Sequence, residues 1–313
     1  MRLRLLKLAL LFNCFFAVQT LRAQEAKVTF EQHKDKVSVL LNDSLFTEYV
    51  FAGYEKPILY PVIGPAGTSM TRDYPMKKDT PNEKPDHPHH KSIWFGHMKV
   101  NNESFWHVGK NAGTTEHVGY EIKGNAIHSK NKLVDRNGEL LATDSRTIAF
   151  GGDRQSRWID YTVTYHASET DLVFGDNKDG QMGIRMHAAL RIAGPVATGK
   201  AINAEGVREK SIWGKRAPWI DYWGEIEGKN VGIAMFDHPT NLRHPTWWHA
   251  RDYGLLSANP FGIHHFESKP DDKAGEHTLK KGESLTFRHR FLFHLGDYKS
   301  AAIAEAYKSW SDQ

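Results

Sequence analysis

Four imidazoles fall within eleven residues of the stretch Asp86-His87-Pro88-His89-His90-Lys91-Ser92-Ile93-Trp94-Phe95-Gly96-His97. Pro85 and Pro88 push Lys84 and His87 toward extended backbone, so Asp86 to His90 is expected to be a stretched segment. His87 and His89 then point one way, on the order of 6–7 Å apart, and His90 the other. Paired imidazoles can hold a metal, share a proton or grip a polar ligand; a single histidine in such a loop more often caps backbone.

Two further stretches carry similar chemistry: Asp237-His238, and residues 243–259 with their histidines, arginines and tryptophans. If they meet residues 72–97 at one end of the sheets, they supply imidazole and carboxylate groups for acid–base work. On this reading one of His87, His89 and His97 is the base, and His249 or His238 the complementary acid. Asp237, Asp252 or Asp86 orients an imidazole. Arg72, Arg185 and Arg251 hold the substrate, with His187 and Asn259 beside them. Trp94 and Trp248 are planes on which a pyranose ring can stack. Each has a plainer reading: Arg185 and His187 as a solvated strand face, a tryptophan as packing between sheets. The alternative use of the cluster is a divalent metal, with His87, His89, a third histidine (His97 or His249) and a carboxylate suiting Zn, Fe or Mn. The spacing fits no tight template, and the acid–base reading requires no cofactor. A Gly-rich phosphate loop, a Gly-x-Ser-x-Gly elbow and a His-Glu-x-x-His helix are all missing from the sequence.

Composition narrows the class. Residues 1–23 read as a signal peptide, with basic Arg2, Arg4 and Lys7, an apolar run from Leu8 to Val18, and a cleavage edge at Leu21-Arg22-Ala23. The only cysteine, Cys14, lies in that run, so the mature chain has no disulfide, thiolate ligand or cysteine nucleophile. Removing four cations and no acid takes the net charge from +4 to near zero. A neutral chain without a basic block argues against nucleic acid. No later stretch looks like a membrane span, the expected location is periplasmic or secreted, and the ligand is expected to be small or neutral. Nothing in the sequence speaks to the oligomeric state.

The positioning elements read as strands. Val37 to Leu41 and Leu45 to Val50 flank an Asn42-Asp43 turn. Prolines mark residues 56–65 as an edge strand or extended loop. Ile93 to Val100 and Phe105 to His107 are expected as strands around an Asn101-Asn102 turn. Arg157 to His166, Gly183 to Arg191 and Ser284 to Leu295 alternate, and Val231 to Phe236 is a buried run. Only the end is helical, with Asp297 as N-cap and a stripe of Ile303, Ala306, Tyr307 and Trp310. The expectation is an all-β protein: residues 24–313 as a single large antiparallel β-sandwich with a C-terminal helix.

The chain resembles the exported DUF6807 family, often labelled "methane oxygenase PmoA". The matching residues are Tyr60-Pro61-Val62-Ile63-Gly64-Pro65, Thr71-Arg72-Asp73-Tyr74-Pro75, Asp86 to His97, His244 to Gly254, and Asn259-Pro260-Phe261-Gly262. Lys91 stands where the resemblance leads one to expect arginine, which keeps the charge but loses the planar fork. The resemblance implies a supersandwich similar to galactose mutarotase and a setting among sugar-degradation genes, but no settled catalytic set. The methane label belongs with a membrane subunit and does not suit this chain. The leading reading is thus a periplasmic carbohydrate-active enzyme, a mutarotase-like epimerase or a lyase or hydrolase on a modified sugar. Glycosidases usually work with two carboxylates, so the excess of histidine favours proton transfer at a carbon or hemiacetal centre. The alternatives are a non-catalytic carbohydrate-binding protein and a metal-dependent cupin-type oxygenase.

Overall fold

Period-two alternation dominates the chain, and a strand with one apolar face must lay that face on another sheet. In the computed structural model, which describes residues 25–313, this produces two antiparallel eight-stranded sheets. The expected signal peptide, residues 1–23, lies outside the described residues. The first sheet runs, in spatial order, Val28–Gln32, Lys36–Leu41, Ser44–Val50, Ile58–Val62, Ile93–Phe95, Met182–Arg185, Leu255–Asn259 and Trp247–Ala250. The second runs Lys200–Asn203, Trp219–Ile226, Lys229–Asp237, Ser284–Leu295, Ser156–His166, Leu140–Gly152, Ala126–Val134 and Thr114–Lys123. The core between them takes Val39, Phe46, Ile93 and Ile184 from one sheet and Ile148, Ile159, Phe291 and Phe293 from the other.

Both sheets are also covered outside. The C-terminal helix Ile303–Ser311 sets Ile303 and Trp310 against Trp219, Phe236 and Leu292 on the outer face of the second sheet. On the first sheet, segments 63–92 and 96–113 fold back over the outer face. There Trp106 and Met98 pack on Ile58, Tyr60, Trp94 and Leu255. A fully buried indole removes on the order of 200 Å² from water, an upper estimate of about 5 kcal/mol at ~25 cal/mol/Å². This second apolar layer therefore holds two otherwise irregular segments in place.

Several expected elements change. Pro61 lies in an interior strand, not at an edge; the register breaks between Thr47 and Tyr49, opposite the point where proline has no N–H to give. The strand expected over Ile93 to Val100 stops at Phe95, and Phe105 to His107 is irregular. Gly183 to Arg191 is a strand only to Arg185, followed by a 3₁₀ turn over Ala188–Leu190. Asp297 caps a turn before the C-terminal helix, accepting from the N–H of Ser300, and the helix itself starts after Ala302. The Asn42-Asp43 hairpin is as expected, with both residues at positive φ (49° and 60°).

Candidate functional site

The histidine segment is a turn, not a stretched strand. The N–H of His90 donates to the His87 carbonyl at 2.9 Å, and His87 sits at φ 48°. Pro88 supplies the φ that a turn wants at its second position, which outweighs the extended bias it places on His87. Arg72 anchors the turn: Nη1 donates to Asp86 Oδ1 (2.7 Å), and Nη2 to the carbonyls of Asp86 and His87 (3.0 Å each).

The turn stacks its rings. His87 and His90 lie parallel with centroids 4.8 Å apart, His90 lies on Trp94 at 5.1 Å, and His87 lies on Tyr253 at 5.3 Å. Tyr253, His87, His90 and Trp94 thus form one column. His89 stands edge-on to it, 4.4 Å from His90 and 4.4 Å from His107. Arg185 Nη1 donates to His90 Nδ1 at 2.8 Å, so His90 carries its proton on Nε2. The same guanidinium lies 4.6 Å from the centre of the Tyr253 ring.

Sheet register decides what lies beside this column. Trp94, Gly183, Ser257 and His249 are opposed in turn across four neighbouring strands, so all four face outward. A Cβ at Gly183 would press on Trp94 and Trp106, so glycine there leaves room for both indoles. Ser257 Oγ donates to the Gly180 carbonyl, and Met98 N–H donates to the Asp179 carbonyl at 3.0 Å, tying segment 177–180 over the sheet. His249 Nδ1 donates to the Lys178 carbonyl at 2.9 Å and lies 3.6 Å from Asp179 Oδ1. That contact fixes the tautomer and leaves Nε2 as the basic nitrogen. Asp179 also acts on His107, whose Nδ1 lies 2.8 Å from Met98 Sδ.

Burial sets the protonation states. It pushes His89 down to about 2, helped by His107 and Lys56, and His249 down to about 4, against the pull of Asp179. His90 is held well below the ordinary value, chiefly by burial. Burial also lowers Lys56 to about 7; its Nζ donates to the Trp106 carbonyl at 2.8 Å, under the histidines. Burial raises Tyr253, keeping its phenol protonated at neutral pH. The site therefore offers neutral imidazole bases beside a protonated phenol.

Of the residues expected here, Asp86, His87, His89, Trp94, Arg72, Arg185, Arg251 and His249 are brought together, Asp86 Oδ1 3.2 Å from His87 Nδ1 and Arg251 over the Tyr253 ring at 5.5 Å. Trp94 is 0% exposed and serves as the base of the column, not as a stacking plane. The other assignments are corrected. Trp248 faces the inter-sheet core, with Nε1 on the Ala217 carbonyl. His97 is enclosed, donating Nε2–H to the Gly175 carbonyl against Phe261. Asn259 is wholly buried between the Asn177 carbonyl and the Phe261 N–H. His187 accepts from the Ala189 N–H, and Asp252 pairs with Lys210 at 3.0 Å. Asp237 and His238 lie on the second sheet, where Asp237 binds His244 (2.8 Å), Asn241 and the Thr246 N–H, and His238 packs on Trp310. Residues 237–238 therefore meet only the start of segment 243–259, at His244 and Thr246, and do not join His249 or residues 72–97.

Sequence reasoning missed Asp179, His107, Tyr253 and Lys56. Only Tyr253 and His107 carried a signal, each lying in an aromatic- and histidine-rich run. Asp179 reaches His249 only through strand pairing. Among the described residues, no three His, Asp or Glu side chains are arranged to hold an ion, and the His87 and His89 rings stand at 72° to one another.

Among the described residues no helix is long and apolar enough to cross a membrane. No curated protein matches the chain. Solved structures similar to it include two described as galactose mutarotase-like proteins. The one from Lactobacillus casei has 9% identity and a TM-score of 0.38, covering 86% of this chain and 100% of that one. The one from Clostridium acetobutylicum has 8% identity and a TM-score of 0.36, covering 87% and 99%. A putative aldose 1-epimerase from Escherichia coli K12 has 11% identity and a TM-score of 0.33, covering 87% and 100%. Likeness this distant does not extend to activity. Residues 36–308 match the family of unknown function DUF6807, and the chain belongs to that family.

Proposed function

We propose that the protein is a periplasmic or secreted carbohydrate-active enzyme that moves a proton on a sugar bound against the cluster of His89, His107, Asp179, His249 and Tyr253. The observation that carries the reading is the His249–Asp179 pair. Its Nδ1–H is fixed on a backbone carbonyl, its Nε2 is basic, and a carboxylate 3.6 Å away is placed to stabilise the imidazolium formed when Nε2 takes a proton. His249 is thus the base, and the protonated phenol of Tyr253 is the donor, reversing the acid role expected for His249. Such a pair suits a mutarotase-like exchange at a hemiacetal, or removal of a proton beside a carbonyl in an elimination.

The test is a screen of aldoses and 3-keto sugars for epimerisation or elimination, followed by proton NMR. Active protein should lose ~10²–10⁴-fold in kcat/KM on His249→Gln or Asp179→Asn. Undiminished turnover in both variants refutes the assignment. The column of stacked rings favours a second reading, sugar binding without turnover, because His87 and His90 are engaged with each other and His90 with Arg185. That reading expects saturable glycan binding which survives His249→Gln, with no product from either protein.

A further inference from the structure

Beside the column lies a pocket of about 150 Å³, below the roughly 300–1,000 Å³ of a drug-sized site, so it takes a single substituent and the atoms next to it. Four cations line it, Arg72, Lys84, Arg185 and Arg191, against two acids, Glu83 and Asp86. Glu83 spends its two oxygens on the N–H groups of Asp73 (2.9 Å) and Tyr74 (2.6 Å). Its charge still acts on Arg72, but the carboxylate in contact with the guanidiniums is Asp86, whose Oδ1 meets Arg72 Nη1 at 2.7 Å and Arg185 Nη2 at 3.4 Å. Both arginines are only 3% exposed. Two carboxylates against four cations leave the lining with a surplus of two positive charges beside two buried guanidiniums, a surplus that a bound anion offsets. Arg72 Nε is buried with no partner among the described residues. Arg191, partly exposed, closes the pocket with its Nε on the Ala188 carbonyl and Nη2 on the Asn82 carbonyl. Burial and the neighbouring Arg72 lower Arg185 to about 10, the direction expected of an under-compensated cation.

We infer that this pocket binds an anionic substituent, a carboxylate or sulfate ester, of a sugar whose ring lies toward Tyr253 and the imidazole cluster. The inference rests on the sugar reading above and replaces the expectation of a neutral ligand with an acidic one. Asp86, Arg185 and Tyr253 connect the two places: Tyr253 and Arg185 line the pocket while touching His87 and His90 on the other side. Arginine guanidiniums match the planar oxygens of such groups.

The experiment is calorimetric titration with D-glucuronate and D-galacturonate, their neutral parents D-glucose and D-galactose, and sodium sulfate alone. At least one uronate should bind ten-fold or more tightly than its parent sugar, and more tightly than sulfate. Arg191→Gln should reduce that preference at least three-fold. This variant is preferred because Arg72→Gln also removes the anchor of the 86–87 turn. Neutral sugars binding as well as uronates would overturn the anion site and leave the sugar reading standing. Sulfate binding without any sugar would show a site for a free inorganic ion, overturning both. No binding of any probe would do the same.

Discussion

Replacing His294 with leucine should destabilise the protein by an amount the structure defines. Asp221 and His294 sit on strands either side of Lys229–Asp237 and meet across Gly232, where a Cβ would overlap the His294 ring. Nε2 lies 2.8 Å from Oδ1, and both side chains are essentially inaccessible. Asp221 Oδ2 has no partner among the described residues, so the imidazolium is its main compensation. Burial disfavours the charged ring, but the charge of Asp221 and its hydrogen bond outweigh this and raise the His294 pKa. Removing one partner of a buried pair strands the other, at about 3–5 kcal/mol. At about 2 °C per kcal/mol for a chain of this size, Tm should fall by ~6–10 °C. Because the folded pKa lies above the unfolded value of about 6.5, the pair's contribution is complete below that pH. It fades as pH rises through the folded value. Thermal unfolding followed by circular dichroism should therefore show the largest gap between parent and variant near pH 6, closing toward alkaline pH. Asp221→Asn combined with His294→Leu should recover more than half of the loss, since no charge is then stranded. A gap that is constant from pH 6 to 10, or a double variant no better than the single, refutes the coupling.

With burial holding His249 to about 4, turnover based on its neutral form should stay level from pH 8 to about 5 and halve near pH 4; a fall near pH 6.5 in kcat/KM would rule it out as the base. The depressed values of His89, His97 and His249 mean that the unfolded chain takes up protons the folded one refuses as pH drops below about 6.5. Urea midpoints should accordingly decline from pH 7 to 5. Gly183→Ala should press the new methyl into Trp94 and Trp106 and cost about 1–3 kcal/mol, read as reduced thermal stability with altered near-ultraviolet circular dichroism from the two indoles. Arg146→Met should leave buried Asp144, now held at 2.8–2.9 Å by two guanidinium nitrogens, with only Asn131, losing about 3–5 kcal/mol. Asp144→Asn with Arg146→Met should be markedly milder; equal losses would show that packing, not charge, sets the cost.

Local chemistry was enough for the elements with one apolar face. Ser156–His166 buries Ile159, Tyr161, Val163 and Tyr165 as its alternation foretold. The Asn42-Asp43 hairpin and the C-terminal stripe of Ile303 and Trp310 follow from residue types alone, because turn geometry and helical spacing are short-range properties. The loop 72–97 was also legible as a cluster of imidazole and guanidinium groups, since its histidines and Arg72 are near neighbours in the chain. Tertiary structure decided the rest, and the reason is that alternation distinguishes two faces without saying which one looks inward. Trp247–Ala250 is buried on both faces, so only pairing with Leu255–Asn259 sends Trp248 into the core and His249 outward. Pairing likewise sets His249 beside Asp179, a carboxylate seventy positions earlier, and carries Asp237 and His238 to the opposite sheet. Burial then turned histidines that the sequence presents as near-neutral switches into bases that stay uncharged well below neutral pH.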